Sequence, residues 1–205
     1  MNIDKELKEY KLFKNQYKFN FKQIEEINGE LFCDGISLLD EEGNKRGLTE
    51  KWLNVGYNNK GCESKVLSNL FHYEFTFRNI KLNSIESFFQ GIKFKDKEIQ
   101  KLVFTYSGKD SNYIKGCTDY NWKENGIIYF QGKEIDRFSQ EYEDLVNELY
   151  VSAIQNPLYR LALKKCDVYI MHSIGDKNKK DSVLTRYEFE YILNSLKDFI
   201  KNIKE

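Results

Sequence analysis

Residues 84–94 read Ser-Ile-Glu-Ser-Phe-Phe-Gln-Gly-Ile-Lys-Phe, and the spacing of their polar and apolar side chains predicts an amphipathic helix. At about 100° per residue, Glu86, Gln90 and Lys93 fall along one line of that helix. An apolar stripe lies beside this line and comprises Phe88, Phe89, Ile92, Ile99, Leu102 and Val103. The pattern therefore predicts one helix that continues through residue 103, with an acid, an amide and an amine at the edge of the core.

The position of these three polar side chains allows two interpretations. A cleft at the edge of the core would remove water from them and prepare them for acid–base chemistry. On an open face, a glutamate and a lysine would be solvated and would contribute little to stability. The spacing alone favours the open face.

Capping and turn residues predict the other elements. Asn83 or Ser84 is suited to cap the helix of residues 84–94, while Ser139 and Thr185 have the patterns of helix N-caps. The predicted elements are a helix or an arm at 1–20, short strands within 30–57, strands at 74–77 and 80–82, a helix from 140 to about 154, a short helix from Pro157 to about 165, a strand at 167–171 and a helix after 185. We therefore expect a single α+β domain over residues 1–205, mainly helical, with a small N-terminal β-sheet.

Composition limits the class of protein. The chain has 205 residues and a formal net charge of zero, which suits one domain with a core but gives no overall positive field for nonspecific nucleic-acid binding. Its four cysteines are far apart, the first residues have no signal-peptide pattern and no apolar run could span a membrane. We expect a cytoplasmic protein with reduced thiols and no membrane partner. With two histidines and no Walker or Rossmann glycine pattern, we expect neither a metal nor a cofactor.

Several short motifs resemble those of a known family. Leu67-Ser68-Asn69 is followed by Glu-x-x-Phe-Gln-x-x-Lys-Phe at residues 86–94. This combination resembles the NADAR family, also called the YbiA-like family, whose members usually have Glu-His-Tyr-Phe-Gln-x-x-Lys-Phe. Ser87 and Phe88 replace the usual His-Tyr pair in this chain. The resemblance covers residues 65–200, and it implies a YbiA-like core at 65–205 preceded by an extension at 1–64 with short strands.

The resemblance implies hydrolysis of an N-glycosidic bond between ribose and an exocyclic amine. In such a ribosylamine, the nitrogen lone pair can expel the ring oxygen and open the sugar to an imine. A neutral Lys93 would attack this imine and form a Schiff base, while Glu86 would transfer the protons. In a simpler mechanism, Glu86 stabilises an oxocarbenium-like state or positions water, and Lys93 binds phosphate or pairs with Glu86.

Nine further residues are candidates for substrate binding: Ser68, Asn69, Gln90, Gly108, Trp122, Asp136, Arg137, His172 and Ser173. Ser68 and Asn69 suit ribose hydroxyls, although such residues also form turns. Gln90 would orient the sugar or the Glu86 carboxylate, or make a surface hydrogen bond. Trp122 offers a face on which a base can stack, or belongs to the core.

The remaining candidates have equally ordinary alternatives. Arg137 could bind a diphosphate with Asp136 in support, or form a structural ion pair. His172 and Ser173 follow a predicted strand, where loops often carry function, although a lone histidine is more often a core residue. Gly108 is included through the resemblance alone.

Two substrates follow from the resemblance. We favour ADP-ribose attached to guanine in DNA, because residues 1–64 and the matches at 67–70, 184–185 and 188–189 resemble an antitoxin paired with a DNA ADP-ribosyltransferase toxin. Lysines at 5, 8, 11, 14 and 18 could supply local phosphate contacts, or form a solvated face. The alternative substrate is a ribosylaminopyrimidine intermediate of riboflavin synthesis. A third hypothesis is a module that binds ADP-ribose or a nucleotide without cleaving it.

Overall fold

The computed structural model describes residues 21–114 and 121–203. They form an α+β fold in which helices predominate and the strands lie in small sheets, so the predicted fold class is confirmed. The strands are β1 (Ile24–Ile27), β2 (Glu30–Cys33), β3 (Ile36–Ser37), β4 (Trp52–Asn54), β5 (Phe75–Phe77), β6 (Ile80–Leu82), β7 (Ile127–Phe130), β8 (Lys133–Asp136) and β9 (Tyr169–Met171). The helices are α1 (Cys62–Val66), α2 (Ile85–Gly91), α3 (Lys97–Phe104), α4 (Gly108–Tyr113), α5 (Trp122–Asn125), α6 (Gln140–Ala153), α7 (Pro157–Lys165) and α8 (Arg186–Asn202).

The predicted N-terminal sheet is present as the antiparallel strands β1, β2 and β3. It packs on a small core of Cys33, Leu38, Trp52 and Met171. The indole N–H of Trp52 donates a hydrogen bond to the carbonyl of Cys33, 3.3 Å away. This sheet therefore rests on residues from β4 and β9 as well as on its own side chains.

A parallel pair of strands joins the N-terminal region to the rest of the fold. Strand β4 pairs with β9, with Trp52 opposite Tyr169 and Asn54 opposite Met171. The backbone N–H of Val55 extends the pair by donating to the carbonyl of Met171. Residues more than a hundred positions apart in sequence are thus neighbours at the end of β9.

Helix α2 lies at the centre of the main core. The ring of Phe88 contacts those of Phe77, Phe104 and Phe130, with ring centroids 5.5 Å to 5.9 Å apart. A Cβ atom on Gly91 would lie 2.3 Å from Cε1 of Phe104, so this glycine allows α2 and α3 to approach closely. Because every other face of α2 is packed in the core, the direction of its polar face is fixed.

Helix α2 ends earlier than its apolar pattern predicts. It stops at Gly91, and α3 starts after Asp96, whose carboxylate accepts hydrogen bonds from the backbone N–H groups at the start of α3. Ile99 and Leu102 are 39% and 56% exposed, whereas Val103 is buried. The prediction of one helix through residue 103 is wrong, because the N-cap at Asp96 begins a second helix in a new direction.

Capping residues and Pro157 correctly predicted the starts of four of the eight helices in the described part of the chain. Ser84, Ser139 and Thr185 are N-caps, and Thr185 forms a complete capping box with Glu188. Pro157 occupies the first turn of α7. The helix or arm predicted at 1–20, with its lysines, lies outside the described residues. Within the described part of the chain, every helix is too short or too polar to cross a membrane.

Candidate functional site

A cavity of about 350 Å³ lies beside the polar face of α2. Its walls come from the loop 68–70, from α2, from the start of α5, from the residue after β9 and from the chain leading into α8. Seven sequence-predicted candidates line it: Ser68, Asn69, Glu86, Gln90, Lys93, Trp122 and His172. The cavity falls within the usual size range of small-molecule sites.

Glu86 and Gln90 of α2, together with Lys93 in the turn that follows it, form a continuous hydrogen-bonded chain in this cavity. The side-chain amide of Gln90 donates to Oε1 of Glu86 at 2.7 Å, and its carbonyl oxygen accepts from Nζ of Lys93 at 2.9 Å. Gln90 is buried, while Glu86 and Lys93 are half-buried. The arrangement matches the cleft at the edge of the core rather than the open solvated face.

Neighbouring elements hold the two ends of this chain in place. The backbone N–H of Glu86 donates to the carbonyl of Asn69, and that of Lys93 donates to the carbonyl of Gln90. The carbonyl of Ile92 accepts from the N–H of Tyr129 in β7. Both reactive candidates therefore sit on backbone that is fixed by contacts outside α2.

Ser87 occupies the position of the histidine that is usual in the NADAR motif, and it faces away from the cavity. Its side chain is fully buried and donates to the carbonyls of Ser84 and Phe104. Because these bonds tie the start of α2 to the end of α3, Ser87 has a structural role in this chain.

Ser68 and Asn69 form a turn whose polar groups are only partly used. Ser68 Oγ accepts from the N–H of Leu70, and Oδ1 of Asn69 accepts from the hydroxyl of Tyr150 at 2.8 Å. Burial raises the pKa of Tyr150, which keeps this hydroxyl protonated as a donor. With its oxygen occupied, Asn69 can offer a ligand its amide N–H groups.

His172 closes the opposite wall and is held as a neutral imidazole. Burial lowers its pKa, and Nδ1 lies 2.8 Å from the carbonyl of Val55. A carbonyl only accepts, so Nδ1 carries the proton and Nε2 keeps a lone pair. The ring packs against Phe189, with centroids 5.0 Å apart, and the backbone N–H of His172 donates to Glu190. His172 is therefore a packed residue with one acceptor atom left for other contacts.

Trp122 belongs to both the core and the cavity. Its side chain is only 6% exposed and packs in the main core, yet it contributes to the cavity wall. Nζ of Lys123 lies 6.0 Å from the ring centroid. A bound base could meet only the small exposed part of the ring.

Four predicted binding residues lie outside the cavity lining: Gly108, Asp136, Arg137 and Ser173. A Cβ on Gly108 would lie 2.4 Å from the backbone of Leu70, so this glycine lets α4 pack against the 68–70 loop. Ser173 exchanges hydrogen bonds with the side chain of Asn54. The exposed Asp136 accepts from the N–H of Phe138, which ends β8 in a turn.

Arg137 forms the structural ion pair that was the alternative to a diphosphate contact. Its fully buried guanidinium binds both oxygens of Glu188, at 3.1 Å and 2.6 Å, and donates to the carbonyl of Ser182 at 3.0 Å. Ser182 belongs to the cavity wall. Arg137 therefore stabilises the cavity wall from inside the protein, and its buried guanidinium is not accessible to a ligand.

The chain before α8 forms a further wall of the cavity that was not predicted from the sequence. Asp176, Asp181 and Arg186 line the cavity. Nε of Arg186 donates to the buried Glu190 at 2.7 Å, while the two aspartates lie in an exposed loop. The run of polar residues between Gly175 and the Thr185 capping box was the available signal. Among the described residues, no three acidic, histidine or cysteine side chains are placed to hold a metal ion.

We predict that thermal stability falls as the pH decreases below about 6.5, which is the ordinary pKa of histidine. Burial lowers the pKa of His172, so the unfolded chain takes up this proton first. Burial opposes ionisation of Glu188, but bonds from Arg137 and Thr185 outweigh it and lower the pKa of that carboxyl, which adds a second loss at more acidic pH. Melting temperatures measured between pH 8 and 3 should show both phases, because the loss from Glu188 begins only near pH 4.5. His172→Gln should remove the upper phase alone, and an unchanged profile would contradict this assignment.

Comparisons with known proteins place the chain in a family. The family model for bacteriophage protein GP30.3 matches residues 61–198. A protein of Enterobacteria phage T4, described as an uncharacterized 17.1 kDa protein in the Gp30–rIII intergenic region, is 32% identical over 138 residues, which are 66% of this chain and 90% of that protein. The NMR structure of the E. coli protein YbiA aligns with 75% of this chain and 87% of its own, with 12% identity and a TM-score of 0.47. Since the family model covers more than half of the residues, the chain belongs to the bacteriophage GP30.3 family.

Proposed function

We propose that this protein is an N-glycosidase that releases ADP-ribose from guanine bases in DNA. The observation that carries the proposal is the hydrogen-bonded chain of Glu86, Gln90 and Lys93 on one wall of a cavity. It places a carboxylate and an amine beside a cleft of the size of a ribose with its base. The resemblance of residues 67–69 and 86–94 to the NADAR motif supports the same chemistry.

The reaction begins with opening of the ribose ring. The lone pair of the guanine amine forms a double bond to C1 of the ribose, the bond from C1 to the ring oxygen breaks, and that oxygen takes a proton from the Glu86 carboxyl. The neutral amine of Lys93 then bonds to C1, and the guanine amine leaves with a proton. Water, deprotonated by Glu86, adds to C1 and releases Lys93 and the aldehyde form of ADP-ribose.

The cavity wall supplies contacts for the sugar. The amide N–H groups of Asn69 can donate to a ribose hydroxyl, and Nε2 of His172 can accept from one. Trp122 offers its exposed edge to the base, and Lys123 beside it can meet a phosphate at the cavity mouth. The rest of ADP-ribose and the DNA would lie outside the cavity.

The cavity volume favours a second candidate substrate. A ribosylaminopyrimidine phosphate is compact enough to lie wholly within about 350 Å³, unlike an ADP-ribosylated nucleotide in DNA. Its N-glycosidic bond is also to an exocyclic amine, so the same side chains could cleave it.

For the DNA substrate, we propose that a DNA ADP-ribosyltransferase toxin makes the modification that this protein removes.

Incubation of the protein with each substrate tests these proposals. In the wild-type protein we expect release of ADP-ribose from ADP-ribosylated DNA, measured by mass spectrometry, with the guanine left in the DNA, and a borohydride-trapped adduct on Lys93. Lys93→Met should lose the adduct and most of the turnover, because methionine has no nucleophilic nitrogen. Lys101→Met should still form the adduct, because Lys101 pairs with Glu98 on an exposed face and does not line the cavity.

Three results would redirect the assignment. Release from the pyrimidine substrate alone would favour the second candidate. Turnover of DNA by Lys93→Met without any trapped adduct in the wild type would favour the simpler mechanism, in which Glu86 acts without a Schiff base. Tight ADP-ribose binding without turnover would identify a binding module.

A further inference from the structure

Gln90 is the buried link between the two reactive side chains. It is 4% exposed, whereas Glu86 and Lys93 on either side of it are half-buried. Its amide makes one hydrogen bond to each of them, at 2.7 Å and 2.9 Å. A substrate-binding glutamine would have its polar groups free for the ligand, but both ends of this amide are used by the protein.

The chemistry of the two neighbours determines the orientation of this amide. An ionised carboxylate only accepts hydrogen bonds, and an ammonium group only donates them. In the structure the NH₂ group of Gln90 faces Glu86 and its carbonyl oxygen faces Lys93. This orientation suits the proposed reaction as well, because Oε1 still accepts when Oε2 carries a proton and a neutral amine can still donate. No other side chain of this length offers a donor and an acceptor without adding a charge.

This orientation makes the two oxygens of Glu86 different. Oε1 is occupied by the Gln90 amide, and within residues 21–114 and 121–203 no hydrogen bond to Oε2 is formed. Proton transfer to a ligand is therefore available from Oε2. Because the amide lies between them, the carboxylate and the amine also do not need to neutralise each other by direct contact.

We infer that Gln90 is a positioning residue, which selects Oε2 of Glu86 as the reacting oxygen and separates the Glu86 carboxylate from the Lys93 amine. The kinetic consequence of this inference rests on the proposed function. The hydrogen-bond arrangement itself does not, since it concerns only the protein. The two parts can therefore be tested separately.

The surroundings of Gln90 make this arrangement rigid. The next residue, Gly91, packs against Phe104, and the backbone N–H of Tyr129 donates a hydrogen bond to the carbonyl of Ile92. The backbone of this turn cannot shift without breaking those contacts. The amide therefore keeps a fixed position relative to Glu86 on α2 and to Lys93 in the turn after it.

Gln100 offers a matched control elsewhere in the fold. It is also buried, and its amide donates to the carbonyls of Phe94 and Tyr129 and accepts from the N–H of Gln131. It does not line the cavity. Replacing Gln100 by methionine removes a buried amide of the same size without touching Glu86 or Lys93.

The kinetic test compares Gln90→Met with Gln100→Met on the substrate that the wild type cleaves. We expect Gln90→Met to lower kcat by about 100-fold while KM changes by less than about threefold, because the reacting groups are misplaced but the ligand contacts remain. Gln100→Met should lower the melting temperature and keep kcat. A raised KM with unchanged kcat in Gln90→Met would make Gln90 a substrate-binding residue and overturn the inference.

The second test does not require turnover or a folded Gln90 variant. In ¹H–¹⁵N spectra, the side-chain NH₂ signals of Gln90 should shift in both Glu86→Ala and Lys93→Met, while those of Gln100 stay in place. If the Gln90 signals do not shift in one of these two variants, the bridging arrangement is wrong. If the wild type cleaves neither substrate, the proposed function fails, and these signals still decide whether Gln90 holds both side chains.

Discussion

Glu86→Gln is expected to reduce turnover of the preferred substrate by about 10³-fold, within the usual range for loss of a general acid–base group. The substitution keeps the size of the side chain and leaves an oxygen that can accept from the Gln90 amide. It removes only the ability to exchange a proton. The fold and the affinity for ADP-ribose should therefore be retained, and single-turnover measurements would isolate the chemical step.

Glu148→Gln is a suitable control for this experiment. Glu148 pairs with Arg78 at the surface and has no contact with the cavity lining. Its replacement should leave turnover at the wild-type level. If Glu86→Gln retained most of the activity, Glu86 would not be the proton-transfer group. If both variants lost activity equally, the effect would be on the fold rather than on the chemistry.

Arg137→Met is expected to decrease the free energy of unfolding by about 3 to 5 kcal/mol, the usual cost of removing one partner from a buried ion pair. The guanidinium is fully buried and satisfies both carboxylate oxygens of Glu188. Without it, Glu188 would keep its charge in a mostly enclosed position, with the more exposed and more distant Lys179, 3.4 Å away, as its ion-pair partner. The carbonyl of Ser182 would lose a donor as well.

Arg78→Met provides the comparison. Its guanidinium also binds both oxygens of a carboxylate, but in that pair Arg78 and Glu148 are 44% and 46% exposed. Such a pair contributes at most about 1 kcal/mol. Urea unfolding of the two variants should therefore give clearly different midpoints. Equal shifts would mean that burial does not determine the contribution of Arg137.

Local sequence predicted much of the candidate site because the reactive side chains lie on one helix and on the turn that follows it directly. Glu86 and Gln90 are four positions apart, so helix geometry alone brings them into contact. The caps at Ser84, Ser139 and Thr185 were equally local. A feature that depends only on residues within about one helical turn of each other can therefore be predicted from the local sequence.

Long-range pairings could not be predicted in this way. Arg137 meets Glu188 across 51 positions, and His172 meets Val55 across 117. The sequence around Glu188 or Val55 does not distinguish either residue from the many other charged or apolar residues of the chain. The break after Gly91 was missed for a related reason, since the apolar period continued through it while the N-cap at Asp96 started a new helix.

The parallel pairing of β4 with β9 has an evolutionary consequence. The region matched by the GP30.3 family model begins at residue 61, yet Val55 forms part of the cavity wall and binds His172 from outside that region. Substitutions before residue 61 can therefore reshape the far wall while the Glu86–Lys93 wall stays constant. Selection on the ligand that fits this cavity can therefore act on residues outside the matched region as well as on those within it.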